Sequence, residues 1–257
     1  MANFEPRKVP VKNYIDWLKG ALELAARKPV TFISIWLIGA FVNYLLPDIT
    51  PVHTPIAVLV LGLSCLAAEA ADKSQPFYKL AAVRLYECHR TLILVALGFG
   101  LFTTAFGFLL QLAINGIEDA AMMFQLASSG EKWHTMSFAA KLLYSFDWLS
   151  IDASGFLGMF FCLGWFWVTL IVNAGATFGI AFNQSYRATL KNLYVIALVV
   201  LIQFLLDLFR IIPLAALPAL SIVSGMIYLS YKDIWLGMNK VDSKVRKPFF
   251  KFKLAMH

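Results

Sequence analysis

Asn183-Gln-Ser-Tyr-Arg-Ala-Thr-Leu-Lys-Asn192 is a polar, basic stretch, and an apolar run from Leu193 to Leu208 follows it directly. Asp207-Leu-Phe-Arg210 marks the end of that run, a second run extends from Ile211 to Tyr231, and Lys232-Asp233 closes it. Two apolar runs with charged feet and a tight charged turn between them read as a helical hairpin through a bilayer. A crossing needs about 20 apolar residues for a hydrocarbon core about 30 Å thick. The basic feet place both ends of this hairpin on the cytoplasmic side.

The bulk composition agrees. Of 257 residues, 60% are hydrophobic and 14% charged, against about 25% charged in a soluble domain. So little polar surface cannot cover a globule of this size, and lipid is the natural solvent. The length suits one membrane domain. The first apolar run starts only at Val30, after a charged segment that lacks the pattern of a cleaved signal peptide, so the first span is expected to stay in the chain. Cys65, Cys88 and Cys162 show neither CxxC spacing nor an even-numbered framework, and read as inert thiols.

The expected fold is all-α: a polytopic integral membrane protein with six transmembrane helices as three hairpins and interfacial amphipathic helices. The spans fall at about 30–46, 55–71, 91–114, 155–182, 193–208 and 211–231. At 28 residues, 155–182 is longer than a perpendicular crossing needs, so a tilt or bend is expected there. Residues 1–29 form a cytoplasmic N-terminal segment with an interfacial helix over Val11–Ala26. Residues 30–238 form the membrane domain, with an external insertion at 115–153, and 239–257 a basic cytoplasmic tail. Asn115-Gly116 and Ser128-Ser129-Gly130 are the turn signals of the insertion.

Threading follows from the cations. Residues 1–29 hold six Lys and Arg, 72–90 hold four, 183–192 hold two and 232–257 hold seven. The opposite connections hold none in 47–54, two in 115–153 and one at Arg210. Both termini are therefore expected in the cytoplasm, and an anionic lipid surface accounts for the net charge of +7 better than nucleic acid does. Glu69, near the exit of the second span, is expected to reach the headgroups. Three basic segments each run into a hairpin: Arg27-Lys28-Pro29, His89-Arg90-Thr91 and Lys191-Asn192-Leu193. They suggest either three related hairpins or the basic foot common to inward-facing spans.

Ser185-Tyr-Arg187-Ala-Thr-Leu-Lys191-Asn192, Tyr228-Leu-Ser-Tyr231-Lys232-Asp233-Ile234 and Trp17-Leu-Lys-Gly20 with Arg27-Lys28-Pro29 resemble recurring segments of a family of uncharacterised bacterial six-span inner-membrane proteins. That family is related to the membrane region of some glycerophosphodiester phosphodiesterases. The resemblance implies the fold and the bacterial inner membrane. It carries no phosphodiesterase chemistry, because no such domain is present, and the 115–153 connection departs from the compact family pattern.

Candidate chemistry is sparse. Gln203, Asp207 and Arg210 share one face of the fifth span, and ionisable groups at such depth often mark a pathway. A polar site for a headgroup or proton is one reading; an Asp–Arg pair anchoring the helix end at the outer interface is the favoured one. Thr169, Asn173 and Thr177 form a second stripe, read as interhelical hydrogen bonding, with a lined substrate path as the alternative. Lys240, Lys244, Arg246, Lys247, Lys251 and Lys253 in the tail are candidate contacts to anionic lipid. His53, His89, His134 and His257 lie scattered without ligand spacing, so no metal or other cofactor is expected. No catalytic motif is present, and the chain is not expected to be an enzyme. It reads as an accessory or scaffold protein that binds lipid, a partner membrane protein or a second copy of itself. A transporter or permease component using the Gln203 face is the alternative, and a membrane immunity or resistance protein a third.

Overall fold

The computed structural model describes residues 5–45, 50–129, 164–194 and 216–237. Among them the structure is helical, without strands: α1 (Asn13–Arg27), α2 (Pro29–Leu45), α3 (Thr50–Asp72), α4 (Phe77–Ser129), α5 (Gly164–Ala174), α6 (Phe178–Lys191) and α7 (Ala216–Tyr231), which runs into a π-helical turn over Lys232–Leu236. Pro29 opens α2, where its missing N–H costs nothing. The chain turns by 86° between α1 and α2.

α3 is the axis of the bundle. Fully 83% of its stretch Pro55–Asp72 is buried inside the protein, against 29% for Phe77–Phe102 of α4. Its sequence explains this. Ala57, Gly62, Ala67, Ala68, Ala70 and Ala71 are small on every side, so α2, α4, α5 and α7 can all approach closely. A methyl group added at Gly62 would sit 3.3 Å from a Val172 methyl. The outer helices are apolar in the reverse sense. Ile33, Leu37, Ile38 and Phe41 of α2, and Leu94 and Leu101 of α4, face outward. Exposed apolar surface on that scale marks a face suited to lipid or to another protein.

Two helical stretches, Pro55–Asp72 and Phe77–Phe102, are long and apolar enough to cross a membrane among the described residues. A third is added if α1 and α2 count as one broken span. The structure thus carries the all-helical part of the sequence reading and holds two or three candidate spans among the described residues.

Two boundaries differ from expectation. α4 runs unbroken through Asn115-Gly116, where a turn was expected, and ends at Ser129. The residues after Gly116 are mostly good helix formers without proline, and they absorb the roughly 1 kcal/mol that a mid-helix glycine costs. The basic connection 72–90, from Phe77 onward, and the expected span after it are likewise one helix. The second difference is in 155–182, whose described part is two helices. α5 stops at Ala174 because Gly175 adopts φ 65°, a conformation that glycine enters without penalty. Gly175 N–H donates to Ile171 O and Ala176 N–H to Leu170 O, closing the helix end. Thr177, extended at ψ 158°, then takes the N-cap position of α6, where its carbonyl accepts Ala181 N–H and its side chain makes no cap bond. The bend expected from the length of this run takes the form of a break.

α1 lies against α7 at one close point. A methyl group placed on Gly225 would meet Ala21 Cα and Cβ at 3.0 Å. Gly225→Leu is expected to lower stability by roughly 1–3 kcal/mol through overpacking, measured as the thermal midpoint in detergent. Gly98→Leu, at a position with nothing within 4 Å, is expected to leave the midpoint nearly unchanged.

Candidate functional site

Polar side chains gather where α3, α5 and α7 end. Glu69 and Asp72 stand three residues apart on the last turn of α3, and both are about 2% exposed. Carboxylates at a helix C-terminus oppose the macrodipole, and burial in an apolar bundle adds a desolvation cost. Each is therefore held by several donors. Asn173, on the last turn of α5, donates Nδ2 to Glu69 Oε2 at 2.6 Å. Lys73 and Arg84 reach Glu69 Oε1 at 2.5 and 3.4 Å. Asp72 Oδ2 accepts from Lys232 Nζ at 2.6 Å and from the Tyr228 hydroxyl at 2.9 Å. Glu69 thus lies inside the protein and does not reach the headgroups, because α4 and α5 close over it.

A second constellation surrounds Asp233, also 1% exposed. Asn13 Nδ2 and Trp17 Nε1 donate to its Oδ2 at 2.8 and 3.0 Å, and Arg7 binds its Oδ1 at 2.8 Å. The π turn presents Lys232 and Asp233 to different partners, the first to α3 and the second to α1. Arg7 also donates Nε to the Asp233 carbonyl, and its own N–H bonds Ile234 O.

The segment before α1 is gripped from its other side. Asn192 accepts from Val9 N–H with Oδ1 at 3.0 Å and donates from Nδ2 to Arg7 O at 3.1 Å. This side-chain amide reads extended backbone as a neighbouring strand would. Tyr194 donates its hydroxyl to Val9 O, and Lys191 contacts Glu5 and Pro6 O. The Lys191 ammonium holds the Glu5 carboxyl below its usual range. Lys28, at the turn between α1 and α2, donates to Gln75 O, and burial lowers its affinity for a proton.

Of the residues singled out in sequence, Thr169 and Asn173 do bond across to α3: Thr169 Oγ1 lies 3.8 Å from Cys65 Sγ, and Asn173 binds Glu69. Thr177 does not join them. It takes the N-cap position of α6 on the far side of the Gly175 break and is exposed. Gln203, Asp207 and Arg210, and the tail residues Lys240, Lys244, Arg246, Lys247, Lys251 and Lys253, lie outside the described residues. Lys232, counted with the cytoplasmic-side cations of 232–257, is buried and paired with Asp72. Cys65 and Cys88 are buried free thiols.

Sequence reasoning missed Asp72, Asp233 and Asn192. Asp72 had a local signal: an acid pair at the end of an otherwise uncharged run needs cations from elsewhere. Asn192 had none, because its partners lie at the other end of the chain.

These contacts neutralise the buried carboxylates and cross-link distant segments of the chain. Outside them, a groove of about 510 Å³ runs between α4, α5 and α6, lined by Leu94, Gly98, Phe102, Trp167, Phe178 and Phe182.

Asp72→Asn leaves Lys232 buried without its counter-charge and is expected to cost about 3–5 kcal/mol. Pairing it with Lys232→Met should restore most of that loss, read from a double-mutant cycle of unfolding in detergent. Asn192→Ala removes both amide contacts to the N-terminal segment. It is expected to expose residues 5–10 to limited proteolysis while the helices stay protected, at a cost of roughly 1–3 kcal/mol.

No protein-family model matches this chain, and no curated protein or solved structure matches it either.

Proposed function

We propose that the chain is a six-span bacterial inner-membrane protein with both termini in the cytoplasm. In this reading it is a non-enzymatic accessory or scaffold protein that binds lipid or a partner membrane protein through its helical faces. One observation carries the reading. The segments with most of the cations, 1–29, 72–90, 183–192 and the start of 232–257, touch one another at one end of the bundle. Arg7 meets Asp233, Lys28 meets Gln75, Asn192 meets Val9 and Lys232 meets Asp72. Segments that alternate with apolar runs and still gather at one end fit hairpins that start and finish on the same side. Their surplus of Lys and Arg favours the cytoplasm for that side.

The same contacts favour a scaffold. The buried charges are consumed in bonds between distant segments, which makes a stiff floor rather than an open site. The outward faces of α2 and α4 carry exposed Ile33, Leu37, Ile38, Leu94 and Leu101, an apolar surface suited to lipid or another membrane protein.

Native mass spectrometry of the protein extracted in mild detergent tests this reading. A stoichiometric partner or retained lipid is expected; the chain alone and lipid-free would defeat it. In the same preparation Asp207→Asn is expected to alter stability only, whereas loss of a solute flux would favour the transporter reading. Tags at either end should stay inaccessible from outside intact spheroplasts.

A further inference from the structure

α1 and α6 divide their surfaces in the same unusual way. At about 3.6 residues per turn, a helix against a soluble core shows two sectors, one buried and one polar. Each of these shows three. On α1, Trp17, Ala21 and Leu24 are buried against the bundle. Ile15 and Leu22 form an exposed apolar sector, which Val11 extends just before the helix. Asp16, Lys19 and Glu23, with Lys12 at the N-cap position, form a separate polar one. On α6, Ala181, Ser185 and Ala188 are buried, Phe182, Tyr186 and Leu190 form the exposed apolar sector, and Asn183, Arg187 and Lys191 the polar one. Viewed from the N-terminus, the sectors follow in the same rotational order on both helices.

The two helices also match position by position. Both end in a basic residue, Arg27 and Lys191, and then in a residue of nearly the same backbone conformation. Lys28 has φ −138° and ψ 56°, and Asn192 has φ −129° and ψ 55°. With these two aligned, buried Trp17, Ala21 and Leu24 fall on buried Ala181, Ser185 and Ala188. Apolar Leu18 and Leu22 fall on Phe182 and Tyr186. Polar Lys19, Glu23 and Arg27 fall on Asn183, Arg187 and Lys191. The same interval carries Glu69 onto Asp233, each a buried carboxylate. Glu69 accepts from Asn173, which lies just before α6, and Asp233 from Asn13, which begins α1. Each half thus donates an asparagine amide to the carboxylate of the other.

We propose that α1 and α6 are duplicated in-plane helices that seat their apolar sectors in the acyl boundary of one leaflet and turn their polar sectors to its headgroups. The occupant of both exposed faces is the bilayer surface. A helix on a bundle at a water–lipid boundary meets three media, and three sectors are what that position requires. The 86° turn at Lys28 sets α1 across the direction of apolar α2. The apolar sector of α6 continues through Phe178 and Phe182 into the groove beside Leu94 and Phe102 of α4, so it joins the outward apolar surface of the bundle. With Arg27 paired to Glu23 and Lys191 to Glu5, exposed Lys12, Lys19 and Arg187 still outweigh Asp16 along the two polar edges, which favours anionic headgroups.

The proposal rests on the membrane placement proposed above, and the experiment separates the two. Single cysteines at Ile15, Leu22, Tyr186 and Leu190, and at Lys19, Asn183 and Arg187, are spin-labelled in the full chain, with its native cysteines replaced by alanine. The chain is reconstituted into phosphatidylethanolamine–phosphatidylglycerol vesicles. Labels in the apolar sectors should favour oxygen over a nickel chelate several-fold, and labels in the polar sectors the reverse. Leu37 and Leu94, on the outward faces of α2 and α4, serve as references. If these favour oxygen while both sectors of α1 and α6 read as aqueous, the proposal fails and the membrane placement stands. If the references also read as aqueous, the placement itself fails. Apolar-sector labels shielded from both reagents mean that protein covers them, which also overturns the proposal. A photo-crosslinking residue at the same positions in the chain with its native cysteines reports the same outcome as lipid adducts.

Discussion

A carboxylate buried at the end of an apolar helix must find its partners in other parts of the chain, and three such groups organise this protein. Glu69, Asp72 and Asp233 each lie at or just beyond the end of an inner helix and are almost fully buried. Their own helices cannot satisfy them. The helix dipole opposes the charge there, and among the described residues Lys73 donates to Glu69 from the next turn. Other donors come from the N-terminal segment, α1, α4, α5, α7 and the π turn. Each bond therefore ties two distant segments, and together they set which helix ends meet.

This arrangement divides the described bundle by medium. Above the polar floor, α3 carries no charge from Pro55 to Ala68, and its small residues let the neighbouring helices close around it. Around it, α2 and α4 turn large apolar side chains outward. At the floor the charges are spent on one another, and α1 and α6 wrap that end with mixed surfaces. The scaffold reading proposed above rests on these apolar outward faces.

Much of the fold was legible because hydrocarbon solvation acts on composition over long windows. The apolar runs, the proline at the start of α2, the helical spacing of α1 and the basic character of the connecting segments are all local properties. The internal similarity was visible only as three basic feet. Its sharper form needed burial, because the Lys28 and Asn192 turns share backbone angles rather than residues. The break at Gly175 was hidden for a similar reason. An apolar run with one glycine does not announce whether that glycine will take a positive φ, and the hydrophobic pattern continues across it.

The amino-acid sequence by itself determined the class of the protein: helical, apolar over most of its length, and basic in alternating connections. Those are sums over many residues, each contributing independently. The tertiary structure alone decided that Glu69 is buried rather than at the headgroups, that Lys232 belongs to Asp72, and that Asn192 holds the backbone of Arg7 and Val9. These are pairings across the length of the chain. Their energy depends on desolvation and distance at a meeting point that no local stretch contains.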